Sequence, residues 1–149
     1  MKFTLPQKKV FLHSSNIPVN WGDMDALGHV NNTMYFRYME IARVNWLNSL
    51  GIKLGENDQS FIIVNAFCEF LAPLAYPQTL EIKTFISKIG NTSIDISHEL
   101  ELEDQDQKPT LIANGFVTCV WFNFKENKSA TLPKVLTELL LNLKSNNIF

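Results

Sequence analysis

Residues 32–50 constrain the rest of this chain more than any other stretch. Tyr35, Tyr38, Met39, Ala42, Trp46 and Leu50 recur at spacings of three and four, and Met34, Ile41 and Leu47 widen the stripe they form. Apolar residues spaced this way share one side of an α-helix. A stripe so wide belongs to a helix covered on most sides, not to one lying on a surface. Arg37, Glu40, Arg43 and Asn48 supply what polar surface remains. The helix begins at Asn31 or Asn32, because an asparagine side chain accepts from the free N–H groups of the first turn. Gly51 is a natural stop. A helix that must be wrapped demands a partner with a large apolar face.

The remaining residues read as that partner. Residues 8–21 alternate imperfectly, and Pro18 assigns them to a sheet edge or a bulge. Residues 61–74 place Ile62, Val64, Ala66, Cys68, Phe70 and Ala72 on one apolar face, and mix Asn65 and Glu69 among apolar residues on the other. Residues 79–88 alternate, and Gly90-Asn91 turns the chain. Residues 93–103 set Ile94, Ile96, His98, Leu100 and Leu102 against Ser93, Asp95, Ser97, Glu99, Glu101 and Glu103, the pattern of a strand with one wet face. Residues 104–109 form a polar turn. Residues 110–124 are apolar on both faces, as in a central strand or one covered by a second subunit. Residues 132–143 form a shorter helix with Leu136, Leu139, Leu140 and Leu143 along one side. Strands joined by short turns pair antiparallel. The expected fold is α+β: an antiparallel five-stranded sheet wrapped around one long central helix, in a single domain over residues 1–149.

Composition narrows the partners. The 149 residues carry a net charge of -2 and no stripe of lysine or arginine, so nothing electrostatic recommends a nucleic acid. The apolar runs are too short for a membrane span. The first thirteen residues lack the continuous apolar core of a secretory signal. Cys68 and Cys119 read as buried free thiols in a reducing cytoplasm. His13, His29 and His98 are widely separated and have no metal-ligand spacing, so no metal or cofactor is expected.

Chemistry concentrates just ahead of the helix. Asp23, Asp25, Gly28 and His29 occupy a short loop, and Asn31, Asn32 and Thr33 begin the helix. A helix start offers unpaired N–H groups and the positive end of a dipole, so a carboxylate beside it can serve reactions that build negative charge on oxygen. By itself the same pattern describes an acid that closes an Asx turn.

The segment Trp21-Gly-Asp-Met-Asp25-Ala-Leu-Gly28-His29-Val-Asn31-Asn32-Thr-Met-Tyr35, continued by Tyr38-Met-Glu40-Ile-Ala-Arg43, resembles the 4-hydroxybenzoyl-CoA thioesterase family of the hotdog fold. The resemblance implies a metal-free hydrolase of acyl-CoA thioesters, a homodimer or homotetramer with active sites at the subunit interface. It implies that Asp25, the second acid of Asp-x-Asp-x-x-Gly, is the catalytic carboxylate, as general base or as nucleophile. The helix amide that would polarise the thioester carbonyl falls near Asn32, with Asn31 and Thr33 beside it. The Gly-His-Val-Asn-Asn run matches the larger branch of that family and not the aromatic-acyl branch, so no hydroxybenzoyl substrate follows.

Other residues keep two readings. Asp23 is expected to bind loop amides. His29 orients Asp25 or a substrate carbonyl, or simply satisfies backbone groups. Glu40 is a rival carboxylate, against an i,i+3 pair with Arg43 on the helix surface. His98 reads as a satisfied core histidine. Asn65 and Glu69 are weaker candidates for facing the pocket across a dimer interface. Lys88, Gly90, Asn91, Thr92 and Ser93 are candidates to contact the phosphates of CoA through backbone amides, or make a plain hairpin turn. The alternatives to a thioesterase are a non-catalytic acyl-CoA-binding hotdog module and a hotdog dehydratase or hydratase, whose acid–base spacing fits poorly.

Overall fold

The computed structural model describes residues 3–103 and 108–146. Chain order is β1 (Val10–Pro18), a single 3₁₀ turn (Trp21–Asp23), α1 (Asn32–Ser49), β2 (Gln59–Phe70), β3 (Thr79–Ile89), β4 (Ser93–Leu102), β5 (Thr110–Asn123), a two-residue β6 (Lys128–Ser129) and α2 (Lys134–Ser145). A second single 3₁₀ turn, Glu56–Asp58, precedes β2. The five long strands form one antiparallel sheet in the order β1-β3-β4-β5-β2, and β6 adds a short pairing to β5. The sheet curls around α1, the hotdog arrangement. Most of the turn expected at residues 104–109 lies outside the described residues.

Each strand's place follows from its residues. β1 is an edge strand with a bulge between Phe11 and His13, in keeping with Pro18 at its end. β5 is central, between β4 and β2, which accounts for its two apolar faces. β2 stops at Phe70, before Pro73; the amides of Leu71 and Ala72 both reach the Ile112 carbonyl, at 2.9 and 3.1 Å.

The concave face carries Leu80, Ile82, Ile86, Ile94, Ile96, Leu100, Ala113 and Val117, packed under Tyr35, Tyr38, Met39, Ala42 and Trp46 of α1. The approach of α1 to the sheet is close at Gly115 on β5. A Cβ built there would sit 1.8 Å from the Met39 sulfur, so the absent side chain lets α1 settle against the sheet. Leu136 and Leu140 of α2 close the end of the core near Trp121.

Three expectations change. The apolar stripe of α1 is buried on the sheet side, but Phe36 and Ile41 are each 37% exposed, so the helix is not covered on most sides. The acidic face of β4 is not uniformly wet: Ser97 and Glu101 are buried. The N-terminal segment crosses that face, with Phe3 against Phe67 and Phe116 and Lys9 pairing with Glu99 over the Phe85 ring. Arg43 does not pair with Glu40. It turns into the sheet, 3.3 Å from His98 Nε2, and Glu40 pairs with Arg37 instead.

Candidate active site

The loop between β1 and α1 is closed on itself. Met24 and Val30 form an isolated bridge, the Asp25 amide donates to the His29 carbonyl at 2.8 Å, and the Gly28 amide donates to the Asp25 carbonyl at 3.1 Å. Gly28 takes a φ of 76°, a left-handed conformation that favours glycine. This is a physical reason for a glycine three residues after the second acid. The loop is pinned at both ends: Val30 N–H donates to the Leu74 carbonyl at 2.8 Å, and Asn31 N–H donates to the Asp23 carbonyl at 2.9 Å.

The two acids differ in what holds them. Asp23 Oδ2 accepts from the Tyr38 hydroxyl at 2.6 Å and from the Asn20 amide at 3.1 Å. Its expected contact with loop amides is present, and the bond to the helix was not legible. Asp25 is exposed; Oδ1 accepts from the Leu27 amide at 2.8 Å, an Asx turn, and among the described residues Oδ2 has no protein partner. The Asn31 side chain caps α1, accepting from the Thr33 amide at 3.0 Å and the Thr33 hydroxyl at 2.8 Å. With the amides of Asn31 and Thr33 both taken, the Asn32 amide is the one of the three expected donors that meets no acceptor among the described residues.

Asp25, His29 and Asn32 line one open cleft of about 460 Å³, together with Val30, Tyr35 and residues 70–74 at the end of β2. The far wall is apolar: Phe70, Leu71, Ala72, Pro73 and Leu74. Among the described residues the His29 and Asp25 side chains share no hydrogen bond, although both residues line the cleft. The Tyr35 ring packs edge-on against Phe70 at 5.0 Å, and burial raises its phenol pKa. The wall at residues 70–74 carries no motif; it joins the loop through the long-range bond from Val30 to Leu74 and the packing of those two residues in one core cluster.

Other candidates lie elsewhere. Glu40 faces a separate groove between α1 and β2, with Phe36, Arg43, Ile63 and Ala66. Asn65 and Glu69 point to the convex side of the sheet, where Asn65 accepts from the Thr118 amide and Glu69 from Asn114. His98 is buried between Arg43 and Thr84, and its pKa is held well below the usual value by burial and then by Arg43. Gly90, Asn91 and Thr92 form the β3–β4 turn, flanked by Lys88 near the end of β3 and Ser93 at the start of β4. Thr79 at the start of β3 pairs with Pro18 near the loop, so this turn lies at the opposite end of the strand, roughly 30 Å away by the rise of an extended chain. Gly90 N–H donates to the Ser93 carbonyl at 2.8 Å, so that amide serves the hairpin. Among the described residues no cluster of three or more His, Cys, Asp or Glu side chains could hold a metal ion, and no helix is long and apolar enough to cross a membrane.

Comparison with known proteins agrees with this fold. The family model of the thioesterase-like superfamily matches residues 19–140. The long-chain acyl-CoA thioesterase FadM of Escherichia coli is 27% identical over 128 residues, 85% of this chain and 95% of that protein. Among solved structures, the PA2801 protein of Pseudomonas aeruginosa superposes with a TM-score of 0.80 at 33% identity, covering 87% of this chain and 98% of that one. The BH1999 gentisyl-coenzyme A thioesterase gives a TM-score of 0.75 at 29% identity, covering 84% and 99%. The match is to the broad superfamily and does not single out the 4-hydroxybenzoyl-CoA family. The chain belongs to the thioesterase-like superfamily and is a hotdog-fold thioester hydrolase.

Proposed function

We propose that this chain hydrolyses acyl-CoA thioesters in the cleft at the start of α1, with Asp25 as the catalytic carboxylate. The observation that carries the reading is the pairing, in one cleft with an apolar wall, of a carboxylate oxygen and a helix amide that have no partner among the described residues, Asp25 Oδ2 and Asn32 N–H. The thioester carbonyl accepts from the Asn32 amide. Asp25 takes a proton from water, and the hydroxide adds to the carbonyl carbon. The oxyanion that forms rests on the same amide and the positive end of α1, a donor worth about 2.7–4 kcal/mol by comparison with other oxyanion holes. The C–S bond then breaks, and the thiolate leaves with the proton Asp25 had taken. Direct attack by Asp25, giving a mixed anhydride that water opens, uses the same atoms. His29 offers a further donor at the cleft.

The acyl group faces Tyr35, Phe70, Leu71 and Ala72, which favours an apolar acyl chain or ring. The relatives' names, long-chain acyl-CoA in one and gentisyl-coenzyme A in another, support the CoA thioester as the substrate class. A second copy completes the site. Among the described strands β2 is an edge, and its Ile63, Val64 and Phe70, with Leu71 just after it, are all at least 44% exposed. Joining two copies antiparallel along β2 reverses strand direction across the axis. The Lys88–Ser93 turn of one copy then lies at the same end of the combined sheet as the Asp25 cleft of the other, about three strand spacings, roughly 15 Å, to the side. That turn is the proposed contact for the CoA phosphates. The two free cysteines suit a cytoplasmic setting.

The competing reading is an acyl-CoA-binding module in which Asp25 serves only its Asx turn; the Leu27 amide bond is the observation in its favour. A panel of acyl-CoAs varying in chain length and ring content, with the same acyl groups on a carrier protein, separates the two when free thiol is followed. Release from the CoA members supports hydrolysis. Tight binding without release from any member supports the binding module.

A further inference from the structure

We infer that Tyr38 is a positioning residue for Asp25 and acts through Asp23, an inference that rests on the reading of Asp25 as the catalytic carboxylate. Tyr38 lies in the second turn of α1 and is only 2% exposed, in the cluster of Val19, Val30, Leu74 and Leu80. Its ring would satisfy that core as phenylalanine. Among the described residues its hydroxyl makes one side-chain bond, 2.6 Å to Asp23 Oδ2, and a buried phenol needs such a partner. Burial and then the Asp23 bond raise its pKa, so it stays protonated and donating.

Asp23 is the joint between the catalytic loop and the helix. Its carboxylate receives Tyr38 from the body of α1 and the Asn20 amide from the chain leaving β1. Its carbonyl receives the amide of Asn31, the helix cap. Asp25 follows two residues later, inside the loop closed by the Met24–Val30 bridge. The loop's other anchor, Val30 to Leu74, ties it to the segment after β2 and not to α1. The distance between the Asp25 carboxylate and the Asn32 amide, the two groups that must close on one carbonyl, depends on the loop's own closure through the His29 carbonyl and on the joint at Asp23. Tyr38 is the side chain that locks it. A misplacement of about 1 Å at reacting groups costs on the order of a hundredfold in rate, so one hydroxyl remote from the cleft carries weight in kcat.

The test uses the intact protein and its best acyl-CoA substrate, below the unfolding midpoint of every variant, with folding checked by near-ultraviolet circular dichroism. Tyr38→Phe keeps the ring and the core. Its kcat is expected to fall about ten- to a hundredfold, with KM within about twofold. Asp23→Ala should match it, and Asp23→Asn, which keeps an acceptor for the hydroxyl, should recover most of the rate. In an Asp25→Asn background, Tyr38→Phe should change the residual rate by less than about twofold, because no carboxylate remains to be placed. Tyr38→Phe with lowered stability and wild-type kcat would overturn the inference and leave the bond as a structural tie. An equal loss from Tyr38→Phe with and without the Asp25 carboxylate would overturn it as well. Wild-type activity in Asp25→Asn alone would instead remove the reading of Asp25 on which the inference stands.

Discussion

Gly115→Ala tests how closely α1 lies on the sheet, and the sign of the effect is diagnostic. An alanine replacing glycine within a strand normally stabilises by about 0.5–1 kcal/mol, since glycine loses more freedom on folding. Here the new Cβ would sit 1.8 Å from Met39 Sδ and 3.0 Å from its Cε. Comfortable separations between such atoms are about 3.5–4.0 Å, so roughly 2 Å of overlap must be relieved. Met39 is fully buried and has no solvent to move into. Its flexible side chain takes up part of the strain, and α1 lifts to take up the rest. Overpacking of this kind costs about 1–3 kcal/mol. A midpoint lower by about 4–8 °C is expected if the net loss is near 2 kcal/mol. Urea unfolding of the wild type, Gly115→Ala, Met39→Ala and the double variant reads this directly. The double variant should be more stable than the sum of the single losses by at least about 1 kcal/mol. A Gly115→Ala protein as stable as the wild type, with additive single effects, would refute the close approach. Because lifting α1 also shifts the Asn32 amide, the variant should lose activity while folded.

The buried histidine makes stability depend on pH. His98 has its pKa lowered by burial and by Arg43, with Thr84 on its other nitrogen. Below about 6.5 the unfolded chain takes up a proton that the folded one refuses. This contribution is complete above that pH and is lost as pH falls, by up to about 1.4 kcal/mol per unit. Unfolding midpoints measured between pH 7.5 and 5.5 should decline less steeply in His98→Gln than in the wild type; parallel curves would contradict the assignment. The thiols should be inert when folded. Burial, then Glu69, pushes Cys68 up to about 12, and burial, partly offset by Arg43, pushes Cys119 up to about 11. At pH 8 both are then held as thiols, the form that does not attack a disulfide. A disulfide reagent should therefore label neither cysteine in minutes without denaturant, and both with it.

What could be read in the chain divides along a physical line. Periodicity and capping are local, and they placed α1, its asparagine cap, the edge position of β1 and the central position of β5. They report which face of an element is apolar and not what covers it. The face of β4 bearing Ser97 and Glu101 therefore read as wet, although the aperiodic N-terminal segment lies across it. Glu40 was equidistant in sequence from Arg37 and Arg43. A buried acceptor on a distant strand, His98, draws Arg43 away. The two acids of the loop are alike to any local rule, and their difference lies in Tyr38, fifteen residues downstream of Asp23. The apolar cleft wall at residues 70–74 and the remote position of the Lys88–Ser93 turn depend on strand register, which no local pattern encodes.

The most direct measurement is steady-state thiol release from the best acyl-CoA by the wild type, Asp25→Asn and Glu40→Gln, each confirmed to be folded. If Asp25 is the catalytic carboxylate, Asp25→Asn lowers kcat by about 10²- to 10⁴-fold, the range for loss of a general acid–base group. Glu40→Gln, altering an exposed side chain in a separate groove, then stays within about threefold of the wild type. Loss of activity in Glu40→Gln with Asp25→Asn unimpaired would contradict the assignment and move the chemistry to the groove between α1 and β2.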